Sequence, residues 1–178
     1  GIGDGAFNQN KKVTSVVLPN TLKYVGDMAF QTLEIPMALP SSLEKVGRYA
    51  FTYNVFSDLT LPSGLKEMGD SAFAYTTVKS EKAYIPASVM SIGNASFYGS
   101  GIKEINVDSN NKNYKSLNGV LYSKDGVKLI AYPNLKADRT YTVLNGVTTI
   151  GRSSFVNKNL TKLVIPTSVN QLEDAALW

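Results

Sequence analysis

The chain has 178 residues, of which 43% are hydrophobic and 18% charged, and a formal net charge of +4. That is enough for one domain with a core, and no run of about 18 apolar residues marks a transmembrane helix. Cysteine and histidine are both absent, which excludes disulfides, thiolate metal sites, Ser-His and Cys-His pairs, the HExxH motif and an imidazole base near neutral pH. No cofactor or metal is called for, and the chain reads as a non-enzyme. The basic residues are scattered, with Lys11-Lys12 the densest group. No basic stripe of the kind that tracks nucleic acid is present, and the small excess of lysine reads as a solvated surface. Gly1-Ile2-Gly3-Asp4 is not the start of a signal peptide.

Read from its beginning, the chain repeats. The pattern aliphatic-Gly-x-x-Ala-Phe opens as Ile2-Gly3-Asp4-Gly5-Ala6-Phe7. It returns at Val25–Phe30, Val46–Phe51 and Met68–Phe73, more loosely at Ile92–Phe97 and Ile150–Phe155, and in degenerate form at Leu172–Leu177. The phenylalanines at 7, 30, 51, 73 and 97 are 23, 21, 22 and 24 residues apart. A period near 22 lies in the leucine-rich-repeat range. Between the blocks stands a short strand closed by proline: Val16-Val17-Leu18-Pro19, Met37-Ala38-Leu39-Pro40, Leu59-Thr60-Leu61-Pro62, Ala83-Tyr84-Ile85-Pro86 and Leu163-Val164-Ile165-Pro166. Alternate side chains of a strand face opposite ways, and proline, with no N–H, ends the ladder. The extra Pro36 leaves the register of the second unit open.

Each block after the strand predicts a tight turn at glycine, with a compact path or a positive φ, and then a short helical turn. Asp4, Asp27 and Asp70 are predicted to cap that helical turn, so the recurring carboxylates count as structure rather than as acid–base pairs. Ala and Phe of the turn fill the core. The 58 residues between Phe97 and Phe155 hold an atypical unit and an insertion. Within it, Val120–Tyr122 and Lys128–Ala131 flank Lys124-Asp125-Gly126, a β-hairpin signal, and Tyr141–Leu144 predicts a further strand. Asp108-Ser109-Asn110-Asn111-Lys112-Asn113 starts like a calcium loop but lacks the glycine at its sixth place and the distant glutamate, so it reads as a polar loop. Asn94-Ala95-Ser96 and Asn159-Leu160-Thr161 match the glycosylation sequon and are taken as chance matches.

The unit Leu-x-x-Leu-x-Leu-Pro-x-Ser/Thr-Leu-x-x-Ile-Gly-x-x-Ala-Phe resembles the BspA-like, or Treponema pallidum-type, leucine-rich repeat over essentially the whole chain. Ser63–Phe73 and Thr161–Val169 are close copies, and the insertion looks like one common in that family. The expected fold is an α+β repeat solenoid. It would be a right-handed leucine-rich-repeat superhelix with short parallel strands on the concave face, short helical turns on the convex side and one inserted β-hairpin. It is expected as a single domain over 1–178 of about seven units, with the insertion at about 108–145. Both ends fall inside a unit without a capping repeat, which predicts a piece of a longer protein and the possibility of end-to-end self-association.

The resemblance implies a bacterial protein, secreted or at the cell surface, that contacts an extracellular protein or glycan in an adhesion-type role, without nucleic acid and without membrane insertion. The alternatives are an architectural spacer with no ligand and a glycan-active enzyme; the enzyme would need two carboxylates in a cleft. Solenoids bind through strand faces. The outward positions there are Ser15, Val17, Ala38, Asp58, Thr60, Lys82, Tyr84, Glu104, Asn106, Lys162 and Val164. Tyr84 is the expected anchor, because tyrosine is favoured at binding hot spots.

Overall fold

The computed structural model describes residues 1–178 and contains no helix. The fold is a parallel β-solenoid of leucine-rich-repeat type, which corrects the α+β expectation. A complete coil holds three short strands, one in each of three sheets. The first sheet joins β1 (Tyr24–Val25), β3 (Lys45–Val46), β6 (Glu67–Met68) and β9 (Ser91–Ile92). The second joins β2 (Pro36–Met37), β4 (Val55–Phe56) and β7 (Thr77–Val78), and the third β5 (Leu59–Thr60), β8 (Lys82–Ile85) and β10 (Glu104–Val107). All these pairings are parallel. The repeat pattern pointed only to the strand before proline, and the other two sheets were not visible in it.

The turn blocks are not helical because their N–H groups do not bond four residues back, as an α-helix requires. They alternate between two kinds of partner. Met28, Phe30 and Thr32 N–H donate to the carbonyls of Arg48, Ala50 and Thr52 in the next coil, at 2.7, 2.9 and 2.9 Å, while Ala29 and Gln31 donate three residues back. The same alternation runs through Tyr49–Tyr53 and Ser71–Tyr75. It requires left-handed backbone twice per coil. Met28, Tyr49, Ser71 and Ala95 have φ of 54°, 55°, 53° and 56°, and Thr32, Tyr53 and Tyr75 have 59°, 65° and 55°. Each such residue costs about 1–3 kcal/mol, which the inter-coil bonds and the core beneath them offset.

Two of the predicted roles are exchanged. The aspartates do not cap their own turn. Asp4, Asp27 and Asp70 Oδ1 accept the backbone N–H of Asp27, Arg48 and Asn94 in the following coil, at 2.8, 2.7 and 2.7 Å. The glycines of the Ile-Gly step are not left-handed. They let coils touch: a Cβ on Gly47 or Gly69 would stand 2.5 Å from the backbone nitrogen of Asp27 or Arg48 in the coil before.

Phenylalanines stack inside. Phe7, Phe30, Phe51, Phe73 and Phe97 form a column with ring centroids 5.3, 5.6, 5.5 and 6.4 Å apart and planes within 13° of parallel. Phe56 closes edge-on against Phe51 and Phe73. Burying such a ring is worth about 3–5 kcal/mol against alanine. Asn54, fully buried, donates to the carbonyls of Phe30 and Phe51 and accepts from Ile35 N–H. Asn111 does the same in the loop after β10, donating to Pro86 and Val89 and accepting from Asn113 and Tyr114. Its amide therefore belongs to the backbone of that polar loop.

The insertion is antiparallel. β11 (Tyr114–Leu117) pairs with β12 (Val120–Ser123), and β12 pairs with β13 (Lys128–Ala131). The second turn holds Asp125-Gly126, with Gly126 at φ 82°. The first is Asn118-Gly119, both left-handed at 50° and 76°. That dipeptide is a strong hairpin signal, so β11 was readable in the sequence although only two strands were expected. β12 lies between two cores. Leu121 joins the 26-residue cluster of the first five coils, and Val120 and Tyr122, on the other face, join the 9-residue cluster beyond. β13 then returns to the parallel ladder with β15 (Thr149–Ile150) and β17 (Gln171–Leu172), beside a separate pair of β14 (Thr140–Thr142) and β16 (Lys162–Val164).

Two predictions follow from the stacking and from the charges on it. Gly47→Ala is expected to lose about 1–3 kcal/mol in urea unfolding, because the methyl meets rigid backbone. Gly64→Ala, whose Cβ would meet only Leu43 O at 3.9 Å, should stay within about 0.5 kcal/mol of wild type; equal losses would refute the close-approach account. The second concerns pH. Hydrogen bonds and charge from Lys23 and Lys66, 2.7 and 2.8 Å away, hold the Glu44 carboxyl at about 2, and the Arg48 backbone and guanidinium hold Asp27 low. Depressed carboxylates stabilise the fold above their unfolded values of about 4, and that contribution is lost as pH falls below them. Burial raises Tyr122 and Tyr132, so their contribution is complete below about pH 10 and lost as pH rises beyond it. With no histidine, the melting temperature should be flat from about pH 5 to 9 and fall on both sides; a marked change between pH 6 and 8 would contradict this.

Candidate functional site

The strand-face positions do not all meet. β5, β8 and β10 bring six of them together. Leu59, Ala83 and Ile105 lie in register and point into the core, 0%, 1% and 0% exposed. Period-2 alternation then turns Thr60, Tyr84 and Asn106 outward as one row. Lys82 and Glu104 form a second row, and Asp58 stands at the mouth of β5.

The polar groups on this face are tied to one another. Tyr84 Oη donates to Asp108 Oδ2 at 2.8 Å. That bond raises the phenol, and Asp108 is lowered, first by the Asn110 backbone N–H and then by Tyr84. Lys82 Nζ lies 3.3 Å from Glu104 Oε2. Glu104 is held below its ordinary range by Asn106 and then by Lys82. Thr60 Oγ1 donates to Asp58 Oδ1 at 2.6 Å. The Tyr84 ring remains 37% exposed, fixed at its hydroxyl end.

The other candidates lie elsewhere. Ser15 and Val17 are exposed but belong to no strand, although Val16 and Leu18 between them pack on the core. Ala38 is exposed and also unpaired. The cause is length. Met37 is three residues from Pro40, whereas its register partner Phe56 is six from Pro62, so the second coil is too short to supply a strand beside β5. Pro36 is tolerated because β2 is an edge strand. Lys162 and Val164 face out from β16, which pairs only with β14. No group of three or more acidic side chains is placed to hold a metal ion.

Outside the strand face, the turn blocks gather aromatic side chains that strand alternation does not reach. Tyr53 and Tyr75 stack with centroids 4.8 Å apart and planes 3° from parallel. Tyr75 meets Tyr98 edge to face at 5.2 Å, and Tyr98 faces Trp178 at 6.4 Å. Tyr49, Tyr53 and Tyr75 are 42–43% exposed and Trp178 80%. Burial is the first cause of the raised Tyr75 phenol. A groove of about 410 Å³ runs along these rings. The signal was in the sequence as phase: Tyr53 and Tyr75 each stand two places after the core phenylalanine.

The comparisons with known proteins agree with this architecture. A model for the BspA type leucine-rich repeat region matches in six copies, over residues 1–118 and 131–178. No curated protein matches the chain. Among solved structures, a leucine-rich repeat protein from Eubacterium ventriosum is 32% identical with a TM-score of 0.91, over 98% of this chain and 47% of that one. The pneumococcal vaccine antigen PcpA is 31% identical with a TM-score of 0.74, over 86% and 39%. A leucine rich cell surface protein from Faecalibacterium prausnitzii, 23% identical with a TM-score of 0.63 over 98% and 61%, shares the fold. The chain thus spans less than half the length of the first two. The chain belongs to the BspA-type leucine-rich-repeat family.

Proposed function

We propose that this chain is a non-catalytic binding module of a bacterial protein displayed at the cell surface or secreted, contacting an extracellular protein or glycan in an adhesion-type role. The observation that carries the reading is the row Thr60–Tyr84–Asn106. Three coils place outward side chains in register on a rigid sheet, and the central one is a half-exposed tyrosine held at its hydroxyl by Asp108. A ring already fixed in place loses little conformational entropy on binding, and tyrosine is enriched among residues that dominate interfaces. The location is supported by the description of the Faecalibacterium relative as a cell surface protein and of PcpA as a vaccine antigen.

A spacer is the second reading, and one observation favours it. Lys82, Glu104, Thr60 and Asp58 satisfy each other, so the polar part of the face asks for no partner.

The test is a screen of matrix proteins and glycans against wild type and Tyr84→Ala. A hot-spot anchor predicts a loss of about thirty-fold in affinity, equivalent to roughly 2 kcal/mol. Tyr84→Phe, which keeps the ring and drops only the Asp108 bond, should retain most of the binding. Affinity unchanged in Tyr84→Ala would remove this face from the reading, and a screen with no ligand would favour the spacer.

A further inference from the structure

We propose that the turn face carries a separate binding site, the groove along Tyr49, Tyr53, Tyr75, Tyr98 and Trp178, and that it takes a linear, uncharged glycan. This rests on the binding-module reading and adds to it a site and a ligand class.

Three observations converge. The first is chemistry: twelve residues line the groove, and none is charged. Apart from the rings they are alanines, Ser71, Ser153, Thr52 and Gln31. In a chain where 18% of residues are charged, an uncharged strip of rings, hydroxyls and one amide matches a ligand that is itself uncharged and rich in hydroxyls. A nucleic acid would also stack on rings, but its phosphates need lysine or arginine alongside, and the lining holds neither. Acidic or basic peptides lack a counter-charge there for the same reason.

The second is ring availability. Tyr53 and Tyr75 cover each other's inner faces and form a wall. Tyr49 stacks on no other ring and is 42% exposed, so it presents a face to a ligand. The electron-rich face of an aromatic ring attracts the C–H face of a pyranose, while tyrosine hydroxyls can bond its equatorial oxygens. A volume near 410 Å³ lies within the ordinary range of ligand sites.

The third is direction. The lining comes from four successive turn blocks, from Gln31 through Tyr53 and Tyr75 to Tyr98, and from two beyond the insertion, at Ser153 and Ala175. Over the first four blocks the groove crosses coils spaced at about 4.8 Å, a step close to the length of one sugar unit, so a linear chain would lie along it at about one unit per coil. Gly99, at φ 62°, stands where any Cβ would come within 2.9 Å of the Tyr75 ring.

The experiment uses an array of neutral gluco-, xylo-, galacto- and manno-oligosaccharides, with heparin as the charged comparison. Hits are titrated by the fluorescence of Trp178, the only tryptophan. Tyr75→Gly is the main variant. Tyr75 has φ 55° and the next coil already carries Gly99 in that place, so the backbone accepts glycine, and thermal melting confirms the fold. Tyr53→Ala is a second variant, and Tyr84→Ala tests the strand face separately. The expected result is a neutral oligosaccharide that changes Trp178 emission, with affinity falling about ten-fold in Tyr75→Gly and Tyr53→Ala and unchanged in Tyr84→Ala. The proposal is overturned if no neutral oligosaccharide binds, if heparin alone binds, or if binding survives in folded Tyr75→Gly. Any of these outcomes leaves a protein ligand on the Tyr84 face standing, so the two readings fail independently.

Discussion

Alternate backbone N–H groups of each turn block donate to the carbonyls of the next coil, and the pitch of the whole molecule depends on that ladder. It holds only while coils approach to backbone contact, so the inward-facing step must be glycine, as at Gly47 and Gly69. It also needs two left-handed residues per coil. Once the backbone is locked this way, every phenylalanine arrives at the same height and the rings stack at about one coil spacing. The Asp side chains extend the same ladder, each carboxylate taking one N–H from the coil ahead. Stability is thus shared between neighbours, as expected of a solenoid whose units cannot bury their own apolar faces.

The ladder is interrupted once. After the fifth coil the chain leaves for the antiparallel insertion, and Ala95, Phe97 and Gly99 N–H find no carbonyl in a following turn block. The pattern resumes at Tyr132, which donates to Ser154 O at 2.8 Å, and continues with Ser153 and Phe155 donating to Asp174 and Ala176 O at 3.3 and 3.0 Å. β12 repairs the break from inside by serving both cores, with Leu121 on one side and Val120 and Tyr122 on the other. On the turn face the missing block has a different effect. It lets Trp178 come up against Tyr98, joining aromatic residues of the two parts of the solenoid into one groove. The insertion is therefore a structural joint between the two parts of the solenoid.

Much of the strand face could be read from alternation. Leu59, Ala83 and Ile105 point inward and Thr60, Tyr84 and Asn106 outward because a strand offers no other choice. Ser15, Val17 and Ala38 do face outward as alternation requires, but none lies in a paired strand, and at Ala38 the coil is too short to supply one. The helical turn failed for a different reason. A block such as Asp27-Met28-Ala29-Phe30 has nothing against a helix in its composition. Its carbonyl partners lie some twenty residues away, and no local signal announces them. The third strand of the insertion was missed although Asn118-Gly119 stood in view.

The sequence by itself determined the period, the inward residues and the family, because a core repeated every 22 or so residues writes its phase into the chain. It also determined that no histidine or cysteine chemistry operates. Only the tertiary structure decided which outward residues become neighbours. Those positions are not constrained by the period, and their partners come from other coils. Tyr84 meets Asp108 24 residues on, and Tyr98 meets Trp178 across the interrupted ladder. Function in such a fold lies in these free positions, and stacking brings them together.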